Sequence, residues 1–228
     1  MLEAITDSLW TLRVPFSFLG LRFGNRMTVV RLPDSSLLLH SPIPLGPDLR
    51  AAVDALGEVR HLVAPNNLHH LYMADWVAAY PDATLHAPAA LAKKRRDLVI
   101  GRPLGEPDPA WGGALSTFTL DGIPQFDETL LLHEPSGTLI SADLVLALPE
   151  DVSHWWTRMY LKMAGIHGQP MGCSLVHKMA ARDKPAFRRS IDALLAADWG
   201  RLVVSHGLVH ERADLHDLLR ESYAWLKG

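Results

Sequence analysis

The stretch HLVAPNNLHHLYMADWVAAYPDATLHAP, His61 to Pro88, decides the fold. Its first residues are a short apolar run that predicts a buried strand, and the chain then passes Pro65 and enters a helix that Pro81 ends. The turn between strand and helix carries two adjacent imidazoles, His69 and His70. Because a rigid strand and helix hold such a turn while its side chains stay exposed, the turn is typical of a binding or catalytic site.

Strand and helix patterns alternate on both sides of this stretch. Turn residues separate MTVVRL (27–32) from LLLH (37–40), and TLLLH (129–133) from TLIS (138–141), so each pair predicts a hairpin. A further strand, LVVS (202–205), lies between two amphipathic helices. The mixture predicts an α/β (α+β) fold.

The length of 228 residues suits a single domain, 1–228, with a substantial core. The segment 144–185 shows no clear period and holds several Gly and Pro residues, so we predict an irregular insert there. Its role, and the oligomeric state of the chain, stay open.

Composition excludes several classes of partner. A hydrophobic content of 48% with 21% charged residues is typical of a soluble globular protein, and the formal net charge of -3 argues against nucleic acid and anionic membranes. No apolar run reaches membrane-spanning length, and the N-terminus does not resemble a secretory signal. With its single cysteine, Cys173, the chain is predicted to be cytoplasmic.

Candidate metal ligands follow three of the predicted strands. His69 and His70 come after HLVA, Asp143 after TLIS, and His206 after LVVS. Strands of one sheet system end along a common edge, so these side chains can converge although they are distant in sequence. Imidazoles with one carboxylate suit Zn²⁺ or Fe²⁺ and leave a position for water or substrate.

Each of these residues also has a structural interpretation. His69 or His70 could satisfy amides at a helix start, Asp143 could accept bonds from turn amides, and His206 could simply precede a tight turn at a glycine. Three such coincidences at three strand ends favour a shared site over separate roles.

Three neighbouring residues are candidates for supporting the ligands or the substrate. Asn66 and Asn67 are turn and capping residues by type, and Asp75 is a carboxylate in the following helix that could orient an imidazole. A solvated carboxylate is the alternative for Asp75.

In the order of its strands and helices and in these residues at the strand ends, the whole chain resembles the metallo-β-lactamase-like superfamily. The resemblance is closest to a branch known only as a domain of unknown function. The resemblance implies a four-layer αββα sandwich. Catalytic members carry HxHxDH at the strand-to-helix turn, where this chain reads Pro65, Asn66, Asn67, Leu68, His69, His70.

The resemblance also implies which ligands are kept. The first and third motif positions fall on Pro65 and Asn67, and the ligand of a later GH turn falls on Ile123. These three would build the first metal site of the superfamily, so we predict that this site is absent. The last motif position is His70, and the family's bridging Asp and last His resemble Asp143 and His206.

Two functional hypotheses follow. In the first, His70, Asp143 and His206, with His69 in place of the usual Asp, hold one Zn or Fe ion and hydrolyse a small ester, lactone, amide or phosphoester. In the second, a metal-free descendant of the fold binds a small molecule or a protein through the same cleft. A weaker alternative makes the His-rich turn an oligomer contact.

Overall fold

The computed structural model describes residues 1–149 and 152–226. Residues 150 and 151 of the predicted insert, and residues 227 and 228 of the predicted domain, lie outside this description. Within the described residues, no helix is long and apolar enough to cross a membrane.

Two large sheets and a small hairpin carry the strands. The first sheet has the order β1 (Glu3–Thr6), β2 (Leu9–Val14), β5 (Asn25–Arg31), β6 (Leu37–His40), β7 (Val59–Val63), β8 (Thr84–Ala87), β9 (Arg102–Pro103). The second has the order β10 (Leu115–Thr119), β11 (Thr129–His133), β12 (Thr138–Ser141), β13 (Arg201–Val204), β14 (His210–Glu211). The hairpin pairs β3 (Ser17–Phe18) with β4 (Leu21–Arg22).

Seven helices and three short 3-10 turns complete the described chain. The helices are α1 (Pro47–Asp54), α2 (Met73–Ala79), α3 (Leu91–Lys94), α4 (Trp155–Ala164), α5 (Leu175–Ala180), α6 (Lys184–Ala196) and α7 (Leu215–Ser222). The 3-10 turns are Pro109–Trp111, Glu134–Ser136 and Ala224–Leu226. Both predicted hairpins are confirmed, because β5 pairs antiparallel with β6 and β11 with β12.

The inner faces of the two sheets pack on each other. Side chains alternate between the faces of a strand, and Leu38 and Val63 of the first sheet join Leu131 and Ile140 of the second in one buried cluster. All four are fully buried. They form the middle of the sandwich.

The outer faces are covered by helices. In the first sheet Leu37 and Leu39, on either side of Leu38, share a cluster with Val53 of α1 and Trp76 of α2. The second sheet packs its outer face on α6 and α7 through an equivalent cluster that includes Leu139, Leu202, Phe187, Ile191 and Leu219. The four layers are therefore α, β, β and α, which confirms the predicted sandwich.

Parallel pairs bring the predicted site to one edge. The strands β12 and β13 run parallel with Ser141 opposite Val204, so Asp143 and His206 leave the second sheet at the same end. In the first sheet β6 and β7 are also parallel, with His40 opposite Val63. The turn that carries the His pair follows β7 at that end.

The segment 144–185 is more regular than its sequence predicts, since it holds α4 and α5. Tyr160 and Leu161 of α4 are buried with Leu21 and Phe23 from the region of the β3–β4 hairpin. The α4 helix begins at a cap in which the ring of His154 accepts from the amide of Thr157. Contact with a distant part of the chain, rather than a strong periodic pattern, positions this segment.

Candidate metal centre

Three predicted ligands meet at the shared edge of the sheets. The Nε2 atom of His69 lies 3.3 Å from one carboxylate oxygen of Asp143, and the Nε2 atom of His206 lies 3.4 Å from the other. The side chains are only 7%, 12% and 9% exposed for His69, Asp143 and His206. The ligand atoms of the three residues lie within 4.8 Å of one another.

The far nitrogen of each imidazole is anchored. The Nδ1 atom of His69 lies 2.7 Å from the hydroxyl of Ser41, which follows β6. The Nδ1 atom of His206 lies 2.7 Å from the carbonyl oxygen of Gly24. Ring orientation fixed in this way by a second partner is the usual arrangement of metal-binding histidines.

The bond to Gly24 determines the tautomer of His206. A carbonyl oxygen can only accept, so Nδ1 of His206 carries the hydrogen. Burial lowers the pKa of His206, with the charge of Asp143 acting in the opposite direction, and the neutral ring therefore directs the lone pair of Nε2 toward a carboxylate oxygen. Two acceptors that face each other need a cation or a proton between them.

Two further side chains hold the Asp143 carboxylate and its loop. The amide group of Asn66 donates to the Asp143 carboxylate at 2.8 Å. The carboxylate of the fully buried Glu128 accepts from the hydroxyl of Ser141 at 2.7 Å and from the amides of Ala142 and Asp143 at 2.8 and 3.1 Å. The loop that presents Asp143 is therefore tied to the start of β11.

The buried acidic groups make the centre electronegative. Burial and the neighbouring charge of Asp143 raise the pKa of Glu128 to about 7. Burial also acts to raise the pKa of Asp143, but the charge of His69 and its hydrogen bond outweigh burial and hold this pKa well below its usual range. His69 shows the reverse balance: burial opposes its charge, and Asp143 together with Glu128 raises its pKa. An environment of this sign favours a cation.

The donor set and its spacing fit a transition-metal ion. Ligand atoms about 2.0–2.1 Å from a tetrahedral zinc ion lie roughly 3.3 Å apart. The two nitrogen-to-oxygen distances, 3.3 and 3.4 Å, match this spacing. Two imidazoles and a carboxylate are ligands that Zn²⁺ and Fe²⁺ accept, so His69, Asp143 and His206 could hold either ion.

The centre opens into a cavity of about 390 Å³. His69, Asp143 and His206 form part of its wall, and most of the remaining wall is apolar, including Phe16, Phe18, Phe23, Leu71, Leu146 and Val176. This volume lies within the range of small-molecule sites, about 300–1,000 Å³. A small ligand could therefore reach the three residues.

A family model described as "Domain of unknown function (DUF4336)" matches residues 6–204 of the chain. The chain belongs to this family. No curated protein matches its sequence.

Solved structures of similar fold include metallo-β-lactamases. The "Metallo-beta-lactamase from Pontibacter korlensis" is 14% identical, with a TM-score of 0.66 over 99% of this chain and 98% of its own. The DIM-1 metallo-β-lactamase is 13% identical, with a TM-score of 0.69 over 100% and 98%. VMB-1 is 12% identical, with a TM-score of 0.68 over 99% and 95%. At these identities the likeness shows the fold of this DUF4336 chain and nothing more.

The structure does not bring the predicted ligand His70 into the group of three. The guanidinium of Arg95 donates to Nδ1 of His70 at 3.0 Å and to its carbonyl oxygen at 2.8 Å. Because a guanidinium only donates, Nδ1 accepts, and the hydrogen of the neutral ring lies on Nε2. Nε2 of His70 is buried and has no hydrogen-bond partner among the described residues. Arg95 therefore holds His70 in the cavity wall beside the centre.

The three predicted supporting residues lie in different surroundings. Asn66 binds Asp143, and its side-chain oxygen also accepts from the amides of Leu68 and His69 at 2.8 and 2.9 Å. Asn67 is not part of the cavity wall, and its amide group reaches the carbonyl of Pro124 only at 3.5 Å. Asp75 is exposed in the first turn of α2 and is not part of the cavity wall.

Several residues of the centre escape sequence reasoning. Glu128 reads as a turn residue before a strand, although an acidic residue directly before the apolar run TLLLH is a usable signal. Ser41 follows LLLH as Asp143 follows TLIS, and the same strand-end rule applied to polar residues in general would have included it. Arg95 belongs to a basic run, Lys93 to Arg96, whose usual interpretation is a solvated face.

A second group of two imidazoles and a carboxylate was also missed. His61 of β7 and His86 of β8 are buried beside Asp108, and their ligand atoms lie within 4.8 Å of one another. Nδ1 of His61 lies 3.0 Å from Nε2 of His86, which is 3.9 Å from an oxygen of Asp108. Arg102 pairs with the other oxygen of Asp108 at 2.6 Å.

Proposed function

We propose that the chain is a metal-dependent hydrolase with a single-ion centre formed by His69, Asp143 and His206. The observation that carries the proposal is the orientation of His206, whose Nε2 lone pair faces the carboxylate of Asp143. Zinc is the ion we favour, and a small ester or lactone is the substrate, ahead of an amide or phosphoester.

The residues of the chain have distinct roles in this proposal. Ser41 and the carbonyl of Gly24 hold the two imidazoles, while Asn66 and Glu128 hold the carboxylate and its loop. A bound divalent ion supplies Lewis-acid chemistry and lowers the pKa of water toward about 7. The apolar wall of the cavity excludes bulk water and orients the substrate toward the three ligands.

The buried carboxyl groups of Asp143 and Glu128 need positive charge near them. The Asp143 carboxylate is held ionised, and buried Glu128 lies beside its loop with a pKa raised to about 7 by burial and by Asp143. Two carboxylates in one buried place repel each other unless positive charge compensates them. Without an ion, a protonated His69 supplies this positive charge. A bound divalent ion would supply it instead, because His69 must lose its proton to act as a ligand.

The predictions of small-molecule partners and of a cytoplasmic location belong to the same proposal. Cys173 is buried, and burial raises the pKa of its thiol to about 12. An inert single thiol is compatible with a reducing compartment.

The deciding experiment measures metal in protein purified without a polyhistidine tag. The protein is stripped with a chelator, loaded with zinc, dialysed and analysed by inductively coupled plasma mass spectrometry. Wild type is expected to keep close to a single zinc per chain, and the His69→Ala/His206→Ala variant to keep almost none. Zinc at about 100 times its Kd also raises the free energy of unfolding of wild type by about 2.7 kcal/mol, because it binds only the folded state.

A matched control is the His61→Gln/His86→Gln variant, which removes the same number of imidazoles from the other buried group. It is expected to keep its zinc. If the alanine variant is unfolded by circular dichroism, His69→Gln/His206→Gln replaces it. A wild type that keeps no zinc, and whose melting temperature zinc does not change, would leave the metal-free binding module as the better description.

A further inference from the structure

We propose that the cavity beside the candidate centre binds the apolar acyl chain of a carboxylic ester, so that the substrate class is medium-chain acyl esters and lactones. This inference rests on the proposed hydrolase function and names the substrate class of the same site. Its basis is the distribution of polar and apolar groups along the cavity wall.

Apolar rings begin directly beside the candidate ligands. The ring of Phe16 stacks on His206 with centroids 6.1 Å apart, and the ring of Phe23 lies 5.8 Å from the same imidazole. Phe23 contacts Tyr160 of α4 edge to face at 5.8 Å. On the His206 side of the centre, a group bonded next to the reacting carbon therefore meets hydrocarbon.

Several polar side chains of the wall already have partners inside the protein, and among the described residues the buried Nε2 of His70 is an exception. The hydroxyl of Tyr160 accepts from the amide of Leu175, and the hydroxyl of Ser174 caps α5 by accepting from the amide of His177. The ammonium of Lys94 donates to the carbonyl of Asn67 at 2.8 Å. Polar groups that are satisfied in this way do not select a substrate with many hydroxyl or amide groups, because that substrate would lose hydrogen bonds to water.

The apolar surface continues from the cavity to the outside. Three side chains of its wall are more than half exposed: Phe18 at 55%, Leu71 at 57% and Val176 at 51%. They come from the β3–β4 hairpin, the turn after the His pair and helix α5. Contiguous exposed apolar surface of this kind is typical of binding sites. This surface leads inward to His69, Asp143 and His206. We therefore expect the bound molecule to extend along it with one end at those residues.

The reaction is a hydrolysis and its atoms balance. The oxygen of water forms a bond to the acyl carbon, the bond between that carbon and the ester oxygen breaks, and a proton of the water passes to the leaving alkoxide. The products are a carboxylic acid and an alcohol, or one hydroxy acid from a lactone. The reaction needs no oxidant or co-reactant besides water.

The first test compares p-nitrophenyl acetate, butyrate, hexanoate and octanoate with zinc-loaded protein, below their solubility limits. Each methylene that the cavity covers is expected to raise kcat/KM by about fourfold, the factor that corresponds to about 0.8 kcal/mol per buried CH₂. Values of kcat/KM that stay level or fall from acetate to octanoate overturn the inference.

A pair of substitutions on α5 tests whether the cavity causes the preference for longer acyl chains. Val176 lies in the cavity wall, while Met179, one turn later, is 79% exposed and is not part of that wall. Val176→Trp is expected to lower kcat/KM for octanoate about tenfold and to change that for acetate less than twofold. Met179→Trp is the control and is expected to change neither. Equal effects of the two substitutions would mean that a site other than this cavity determines the preference for acyl-chain length.

A binding measurement separates this inference from the proposed function. Octanoate and acetate are titrated into the purified protein by isothermal titration calorimetry, with and without Val176→Trp. If no ester is hydrolysed but octanoate binds at least tenfold more tightly than acetate, and Val176→Trp removes the difference, the hydrolase proposal fails and the acyl-chain site stands. If octanoate and acetate bind equally tightly, the acyl-chain site is rejected.

Discussion

Two buried groups of identical composition, each with two imidazoles and one carboxylate, differ in every feature that matters for metal binding. In the group of His69, Asp143 and His206, each carboxylate oxygen faces a different imidazole nitrogen. In the group of His61, His86 and Asp108, the imidazoles instead face each other at 3.0 Å. Composition and proximity alone therefore do not identify a metal site.

Charge separates the groups further. Asp143 has the second carboxylate of Glu128 beside its loop, so a divalent cation would leave the centre close to neutral. Asp108 is already paired with Arg102 at 2.6 Å and accepts from the amide of Ala110 at 2.9 Å. A divalent ion bound beside Asp108 would be close to the guanidinium of Arg102. The single carboxylate of Asp108 would then have to balance both positive charges.

Access separates them as well. The first group opens into the cavity of about 390 Å³. Over the second, the buried indole of Trp111 lies 5.1 Å from the ring of His86 and 6.5 Å from that of His61, measured between centroids. We interpret the second group as a structural network that ties the loop of Asp108 to β7 and β8.

The largest expected effect is the loss of zinc affinity when Asp143 is replaced, compared with the same replacement of Asp108 in the other group. Asp143→Asn is expected to weaken zinc binding by more than 100-fold, beyond the roughly 10–100-fold that the loss of a supporting partner costs. Asp108→Asn is expected to leave the zinc affinity unchanged and to lower the free energy of unfolding by about 1 kcal/mol, because the ion pair with the half-exposed Arg102 is lost. Competition with a chromophoric chelator measures the first quantity and urea unfolding the second. Equal losses of zinc in both variants would remove the distinction between the groups.

The pH dependence of stability should expose the second group. Burial, with the neighbouring His61, lowers the pKa of His86 to about 4, against about 6.5 in the unfolded chain. Because the unfolded state takes up this proton at higher pH, His86 adds stability above pH 6.5 that is lost as the pH falls toward 4, roughly 3 kcal/mol in all. In chelator-treated protein, His86→Gln should therefore flatten the decline of the free energy of unfolding over this range. An unchanged slope would contradict the assignment of a neutral, buried His86.

Glu128→Gln tests how the first group is supported. Removing the charge while keeping one acceptor oxygen is expected to weaken zinc binding about tenfold, at the lower limit for a supporting partner. The control is Glu134→Gln at the other end of β11, where the carboxylate is exposed and bonds to Ser116. It should not change the affinity. A Glu128 variant that binds zinc as wild type does would show that Asn66 and the loop backbone suffice.

The smallest effects concern the turn itself. Asn66→Ala removes the bond to Asp143 and the side-chain acceptor for the amides of Leu68 and His69, so we expect a loss of about 1–2 kcal/mol in unfolding free energy. Asp75→Ala, on the exposed side of α2, is expected to change stability by less than about 0.5 kcal/mol and zinc affinity by less than twofold. Thermal melting with and without zinc distinguishes the two. A zinc defect in Asp75→Ala would restore its predicted supporting role.

Local sequence patterns predicted the individual strands, helices and hairpins, whereas the four-layer αββα architecture was implied by the resemblance to the metallo-β-lactamase-like superfamily. The hairpins MTVVRL/LLLH and TLLLH/TLIS, and the strand-to-helix turn after HLVA, correspond to β5, β6, β11, β12 and the end of β7. Each depends on a period of two in side-chain direction and on turn residues, which a short window of sequence contains. The segment with α4 and α5 has weaker local signals, since contacts with the β3–β4 region position it.

By itself, the sequence determined which strands end in ligands, because chain direction and the apolar runs place His69, Asp143 and His206 at strand ends. Only the tertiary structure decided that His70 turns to Arg95, that Glu128 lies under Asp143, and that His61 and His86 meet Asp108 behind Trp111. The physical reason is that a hydrogen bond depends on atoms within about 3 Å whose residues lie tens of positions apart in the chain. Strand periodicity specifies the edge at which side chains emerge, but the packing of two sheets and their loops selects the partner of each nitrogen and oxygen.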